Sequence, residues 1–344
     1  MRKAFFILCT AVVFAACSGN GVKSTRLERN QNSGINTETF GNVFWDVSLS
    51  GMTSKINSLM VLKDGKVIYE GYDPAHSATC LHVMWSASKT FTATAVGFAV
   101  QDGLMKVDDL VADYFEPEML GEDHDGYFKK LTVKDLLIMS SGLKKDFLSD
   151  SDERWNDHAT EMALKGGWAF EPGTKFHYNS INTYLTGVIV SKVTGKRLSD
   201  YLNEKLFTPL GIREYEWEQS GEGYDYGGWG LFLSVENFAK MGQFFLQKGV
   251  WEGKRLLPES WFDEAMAAQI IQRPDDFVPE QDEWNQGYGY QMWRCTHGAC
   301  RLDGAYGQFC IIIPEKNAVV AIHEHSRNTA ASLNAVWKEI YPYL

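Results

Sequence analysis

The sequence predicts an α/β chain of the α+β kind. It reads as an antiparallel sheet built from both ends of the chain, flanked by terminal helices, with an all-helical lobe inserted between them. Strand-like runs sit near the start, in "SLMVLKDGKVIYEGY", and near the end, in "YGYQMW", "GQFCIIIP" and "AVVAIHEH". The stretch between them carries helical periodicity instead. Strands and helices are thus segregated along the chain rather than alternating, the pattern of a sheet with a separate helical layer. With 344 residues, 44% of them hydrophobic, the chain has ample material for one large core.

The elements follow in order. "MRK" and then "AFFILCTAVVFAA" form a positive n-region and an apolar h-region, too short to span a bilayer, with Ala15 and Ala16 before Cys17. "FAAC" followed by "SGNG" resembles the bacterial lipobox, in which Cys17 would carry lipid and become the mature N-terminus. The alternative is a secretory signal cleaved near Ala16. Residues 1–16 are then a signal peptide and residues 17–40 a polar tether. Loss of Arg2 and Lys3 would take the net charge from -11 to -13. An acidic chain without a basic run excludes nucleic acid as a partner. The membrane is met through the lipid anchor only, which places the protein in the bacterial cell envelope.

Asp64-Gly65 between two apolar runs signals a hairpin. A helical run covers Ser86 to Leu104, with Gly103 as its C-cap. "LTVKDLLIMSSGL" begins like a capping box at Thr132 and Asp135 and ends at Gly142. Residues 144–170 are polar, with irregular helical pieces. "NTYLTGVIVSKVTG", "LSDYLNEKLFTPLG", "LSVENFAKMGQFFLQKG" and "LPESWFDEAMAAQ" are further helices, and a last one spans about residues 330–341. There are no internal repeats. Cysteine use fits export. Cys295 and Cys300, across the short loop of "RCTHGACR", suit a hairpin disulfide in an oxidising compartment. A zinc site with His297 is the competing idea, weakened by the absence of CxxC spacing. The redox state of Cys80 and Cys310 stays open.

The chemistry starts at "VMWSASKTFTATAV". Ser86 and Lys89 stand three apart, so on a helix they share a face with Cβ atoms about 5–6 Å apart. A desolvated lysine favours its neutral form and can take the serine proton. A serine in the first helical turn also presents an unsatisfied backbone N–H to an oxyanion. Ser141 to Lys144 repeats the spacing across a helix-ending glycine and reads as a C-cap instead.

In that context the sequence resembles the serine β-lactamase and penicillin-binding-protein superfamily, on the class C-like side, near its esterase and 6-aminohexanoate-dimer-hydrolase branch. The segments that carry the likeness are SxxK at Ser86, "LTVKDLLIMSSGL", "EPGTKFHYNSINTYLTG", "GGWGLFLSVENFAKMGQFFL" with "GKRLLPESW", and "DGAYGQFCIIIP", in that order across about residues 45–325. The resemblance implies a β-lactamase/transpeptidase-like fold and one β-lactamase-related serine hydrolase domain over residues 41–344, with the helical lobe roughly at 86–225. It implies Ser86 as the acylated nucleophile, and Lys89 and Tyr178 as its base and acid, with the Lys89 cation lowering the Tyr178 pKa. The oxyanion donors would be the N–H groups of Ser86 and Ala305. Ser180, Gly304, Tyr306 and Trp229 would lie against substrate, and Gly307 would allow close approach. Trp85 and Trp168 are further candidates for an aromatic cleft.

The likeness has gaps. Tyr178-Asn179-Ser180 stands where Tyr-x-Asn is the pattern, and Leu302-Asp303-Gly304 where Lys-Thr-Gly or His-x-Gly is. That argues for an amide, ester or small-peptide substrate over a dedicated β-lactamase, with D-amino-acid peptidase or β-lactamase activity as alternatives. A catalytically silent binding protein of the same fold is the other class. No cofactor is implied. Neither "HEH" at His323 to His325 nor "DHDG" at Asp123 completes a metal site.

Overall fold

Alternating apolar residues on either side of Asp64-Gly65 make the first hairpin, and the turn geometry closes it. Both turn residues have positive φ, 51° and 78°, the backbone of a two-residue hairpin turn matched to strand twist. In this computed structural model, which describes residues 26–30, 32–49, 55–146 and 155–344, the hairpin is β1 (Lys55–Lys63) and β2 (Lys66–Tyr72). The signal segment and the first part of the tether, residues 17–25 with Cys17, lie outside the described residues.

The remaining strands are β3 (His82–Val83), β4 (Glu216–Trp217), β5 (Leu231–Leu233), β6 (Val250–Trp251), β7 (Lys254–Arg255), β8 (Trp293–Arg294), β9 (Cys300–Gly304), β10 (Gln308–Ile313) and β11 (Ala318–His325). The main sheet runs β2-β1-β11-β10-β9-β8, with every pairing antiparallel. The first and last parts of the chain therefore meet at β1 and β11, as the segregated pattern predicts. Strands also appear inside the helical part: β3-β5-β4 form a small sheet, and β6-β7 a two-stranded one. They are two or three residues long, too short to leave a period in the sequence. "YGYQMW" likewise yields only bridges and the first residue of β8, Trp293.

The helices are α1 (Asn42–Leu49), α2 (Ser88–Gln101), α3 (Val133–Leu137), α4 (Trp155–Leu164), α5 (Ser180–Thr194), α6 (Leu198–Leu202), α7 (Val235–Leu246), α8 (Glu259–Met266) and α9 (Thr329–Glu339). Their ends follow local chemistry. Thr132 and Asp135 close a reciprocal capping box on α3, and Gly195 ends α5 in the left-handed conformation. Two cores lie on opposite faces of the main sheet. One joins α1 and α9, through Val43, Val47, Leu333 and Val336, to Phe309 and Ile311. The other joins α2, α5 and α7 to Leu302, Cys310 and Ile312. The terminal helices thus cover one face and the inserted lobe with α7 covers the other. No helix among the described residues is long and apolar enough to cross a membrane.

Candidate active site

Ser86 sits in a short 3-10 turn, Trp85–Ala87, that runs directly into α2. The predicted helix over Ser86 to Leu104 therefore begins two residues late. Trp85, just before the serine, has φ of +46°, an uncommon backbone for a bulky side chain. Three hydrogen bonds pin it. Ser88 Oγ donates to Trp85 O at 2.6 Å and accepts from Leu231 N at 3.3 Å, while Met84 N donates to Leu231 O at 2.8 Å. The turn is latched to β5 on both sides. Its first internal bond runs from Ala87 N to Met84 O, at 3.1 Å, so the Ser86 N–H precedes the ladder and is available to an external acceptor.

Lys89 lies on the first turn of α2 and is 1% exposed. Its Nζ donates to Ser86 Oγ at 3.0 Å, to Ser180 Oγ at 3.1 Å and to Gly228 O at 2.7 Å. Burial lowers its pKa from 10.5 to about 7, against an opposing pull from the charge of Asp146. All three acceptors are uncharged, so they satisfy the amine without holding it as a cation. Ser180 is placed by the cap of α5: Asn179 Oδ1 accepts from Ile181 N at 2.9 Å, and Asn179 Nδ2 donates to Leu143 O and Lys145 O.

Tyr178 precedes that cap and is half-buried, its ring stacked on Trp293 at 5.8 Å and edge-on to Tyr288 at 6.4 Å. Lys89 Nζ is 5.2 Å from the ring centroid. The expectation that Lys89 lowers the Tyr178 pKa is corrected. Burial pushes the phenol up, the charges of Asp303 and Asp146 push it further, and only a hydrogen bond with Ser86 opposes them. Tyr178 therefore keeps its proton and is suited to donate it.

The opposite wall is the end of β9. A Cβ on Gly304 would sit 2.2 Å from Met84 O, so glycine is what lets this strand touch the nucleophile turn. Ala305 follows at the strand's end, beside the turn that carries Ser86. Its peptide is held by Gln308, whose Nε2 donates to Ala305 O at 3.2 Å and to Glu324 O at 2.6 Å. Beneath Gly307 lies the buried Glu324, whose Oε2 would be 2.2 Å from a Cβ there. Burial raises its pKa to about 7. Tyr306 is 40% exposed and packs against Trp85, with ring centroids 5.6 Å apart.

Ser86, Lys89, Tyr178, Ser180, Gly304, Ala305 and Tyr306 thus converge between lobe and sheet. Trp229 flanks Gly228 and stacks on Tyr226 at 4.7 Å. Trp168 does not join them: it packs edge-on against Tyr127 and Phe128 within the lobe. Ser141 donates to Asn182 Oδ1 at 2.7 Å, and its Lys144 is exposed, so the second SxxK is structural. Leu302 is in the core, and Asp303 accepts from the buried Arg301 at 2.9 Å. The Cys295–Cys300 disulfide is corrected as well. Both are free, buried thiols. Cys295 packs with the core under α1 and α9, and Cys300 with the core under the lobe, so the two side chains point away from each other across the sheet. No cluster of metal-ligating side chains occurs among the described residues.

Gly228, Gln291, Trp293 and His325 were not foreseen. Gly228 could have been suspected from the glycine-rich "GGWG", since repeated glycines mark close backbone approach. Gln291 donates to Leu136 O and Leu137 O and accepts from Thr183 Oγ1, tying α3 to α5. Nothing local in the sequence marks it.

Known proteins share the sequence pattern and fold of this chain. The Beta-lactamase family matches residues 51–341. A 6-aminohexanoate-dimer hydrolase of Paenarthrobacter ureafaciens is 24% identical over 282 residues, covering 77% of this chain and 71% of that protein. Protein flp of Staphylococcus aureus (strain MW2) is 26% identical over 176 residues, 47% of this chain and only 35% of its own length. Among solved structures, a D-stereospecific amidohydrolase from Streptomyces sp. superposes with a TM-score of 0.69 at 16% identity, over 88% of this chain and 99% of its own. The match over most of the chain, on a β-lactamase/transpeptidase-like fold, shows that this protein belongs to the Beta-lactamase family.

Proposed function

We propose that the protein is a serine hydrolase acting through an acyl-enzyme on an amide, ester or small-peptide bond, held at the bacterial cell envelope by lipid on Cys17. One observation carries the catalytic reading: a buried Lys89 amine with a pKa of about 7, 3.0 Å from Ser86 Oγ. Near neutrality much of that amine is unprotonated. It takes the Ser86 proton as Oγ attacks the carbonyl carbon. The negative oxygen is met by the N–H groups of Ser86 and Ala305. Tyr178, still protonated, donates to the leaving amine or alkoxide as the bond breaks, and Lys89 returns a proton to Tyr178. Water then attacks the ester of Ser86 with the roles reversed, and Ser86 regains its hydrogen.

The replaced motif narrows the substrate. Leu302 is in the core and Asp303 is paired with Arg301, so these positions offer no cation to seat a β-lactam carboxylate. This favours an open-chain amide, ester or D-amino-acid peptide. Incubation with a fluorophosphonate should add its mass to the peptide containing Ser86, and Ser86→Ala should abolish both label and turnover of an activated ester. A folded Ser86→Ala protein with wild-type turnover would refute the assignment. Absence of label and turnover from the wild type would favour the silent binding protein. For the anchor, intact mass of membrane-extracted protein should show diacylglycerol on Cys17; an unlipidated mature chain would refute it.

A further inference from the structure

Two residues with strained backbones flank the two proposed oxyanion donors. Trp85 precedes Ser86 with φ of +46°, and Tyr306 follows Ala305 with φ of +64°. Glycine would adopt either conformation without cost, so what a side chain adds at these places is its ring. Both rings face outward, at 37% and 40% exposure, yet they meet each other at 5.6 Å. Tyr306 also stacks on the exposed His325 at 5.2 Å with an interplanar angle of 16°. The result is an exposed wall of three rings continuous with the nucleophile and the oxyanion strand. Large exposed aromatic surface of this kind marks a recognition site.

We propose that Trp85, Tyr306 and His325 form the acyl-group recognition wall, and that the substrate carries an apolar, preferably aromatic, group next to its scissile carbonyl. The inference rests on the hydrolase reading above. The leaving group has to lie beside Tyr178, on the lobe side, where its proton is supplied. The substituent that stays on the carbonyl then extends over the other rim, where the rings are exposed. Flat faces there favour a planar group over a compact charged one.

The test uses the full-length chain and p-nitrophenyl esters that differ only in acyl group, from acetate through hexanoate to phenylacetate. A second set holds the acetyl group and varies the phenol. Wild-type kcat/KM should rise at least about tenfold from acetate to phenylacetate, the scale of discrimination an apolar pocket provides. Trp85→Gly and Tyr306→Gly keep the left-handed backbone and remove a ring. Each should lower phenylacetate kcat/KM about tenfold more than it lowers acetate kcat/KM. Equal losses on both esters would mean that the rings only hold the backbone, and a preference confined to the phenol series would place them on the leaving-group side; either overturns the proposal. A binding arm separates failure here from failure of the hydrolase reading. Ser86→Ala protein should bind N-phenylacetylglycine more tightly than N-acetylglycine by calorimetry, and the added Trp85→Gly change should erase the difference. Equal binding of the two would overturn the wall whether or not Ser86 turns over.

Discussion

Replacing Lys89 by methionine should make the protein more stable and inactive at once, and the gain in stability should depend on pH. Burial lowers the amine's pKa from 10.5 to about 7. At about 1.4 kcal/mol for each pH unit between those values, the folded state bears a cost of about 5 kcal/mol at pH 7 and below. The sign follows from proton binding. Between pH 7 and 10.5 the unfolded chain holds the proton and the folded protein does not, so wild-type stability rises with pH across that window. Lys89→Met removes the cost but leaves Gly228 O without its 2.7 Å donor, a loss of about 1–3 kcal/mol. The Lys89→Met protein should therefore be more stable than wild type by about 2–4 kcal/mol at pH 7, with the advantage closing by about 1.4 kcal/mol per pH unit and gone by about pH 10. Urea unfolding followed by tryptophan fluorescence at pH 7, 8, 9 and 10 measures the difference, because other titrations cancel between the two proteins. Activated-ester hydrolysis by the variant should fall by about a hundredfold or more. Wild-type kcat/KM should rise through about pH 7, as the amine loses its proton. A stability difference that stays flat from pH 7 to pH 10 would show that the amine keeps its solution pKa, and the general-base argument would go with it.

Tyr178→Phe should lower kcat by about a hundredfold with little change in KM, measured on an amide substrate whose leaving group needs the proton; an equal rate would remove Tyr178 as the acid. Gly304→Ala puts a methyl 2.2 Å from Met84 O, so β9 must withdraw from the nucleophile turn. We expect a loss of about 1–3 kcal/mol in stability and a larger proportional loss in kcat/KM, while an unaltered rate would mean that the strand's approach is not needed. Glu324→Gln should stabilise the protein at pH 8 by up to about 3 kcal/mol. The folded carboxyl, raised from 4.5 to about 7, gives stability below pH 4.5 that is lost as pH rises through 7, so the variant's advantage should vanish near pH 4.5. Thermal unfolding at pH 4.5, 6 and 8 decides it, and a constant difference would contradict the burial argument.

Much of the architecture was legible because its signals are local. Asp64-Gly65 can close only a tight turn, Thr132 and Asp135 cap their own helix, and Gly195 ends one, each through contacts within a few residues. The Ser86–Lys89 pair is local in the same sense: three positions of spacing bring Nζ to 3.0 Å from Oγ even though the serine lies in a 3-10 turn. The five ordered segments carried the fold, since the family match spans the same stretch of chain.

What only the tertiary structure decided depends on partners far away in sequence. Lys89 is a candidate base because Ser180 and Gly228, 91 and 139 positions away, surround it with uncharged acceptors. Tyr178 was expected to lose its proton readily beside a lysine, but burial and the charges of Asp303 and Asp146 raise its pKa. Cys295 and Cys300 look like a bridge along the chain, yet their side chains enter different cores. Trp85 and Trp168 read alike as single tryptophans; only the meeting of β9 with the nucleophile turn puts one against Tyr306, while the other packs on Phe128. Sequence on its own determined which groups could do the chemistry, because spacing and capping act over a turn or two. Packing determined their protonation and their company, because desolvation and Coulomb terms sum over whatever the whole fold brings near.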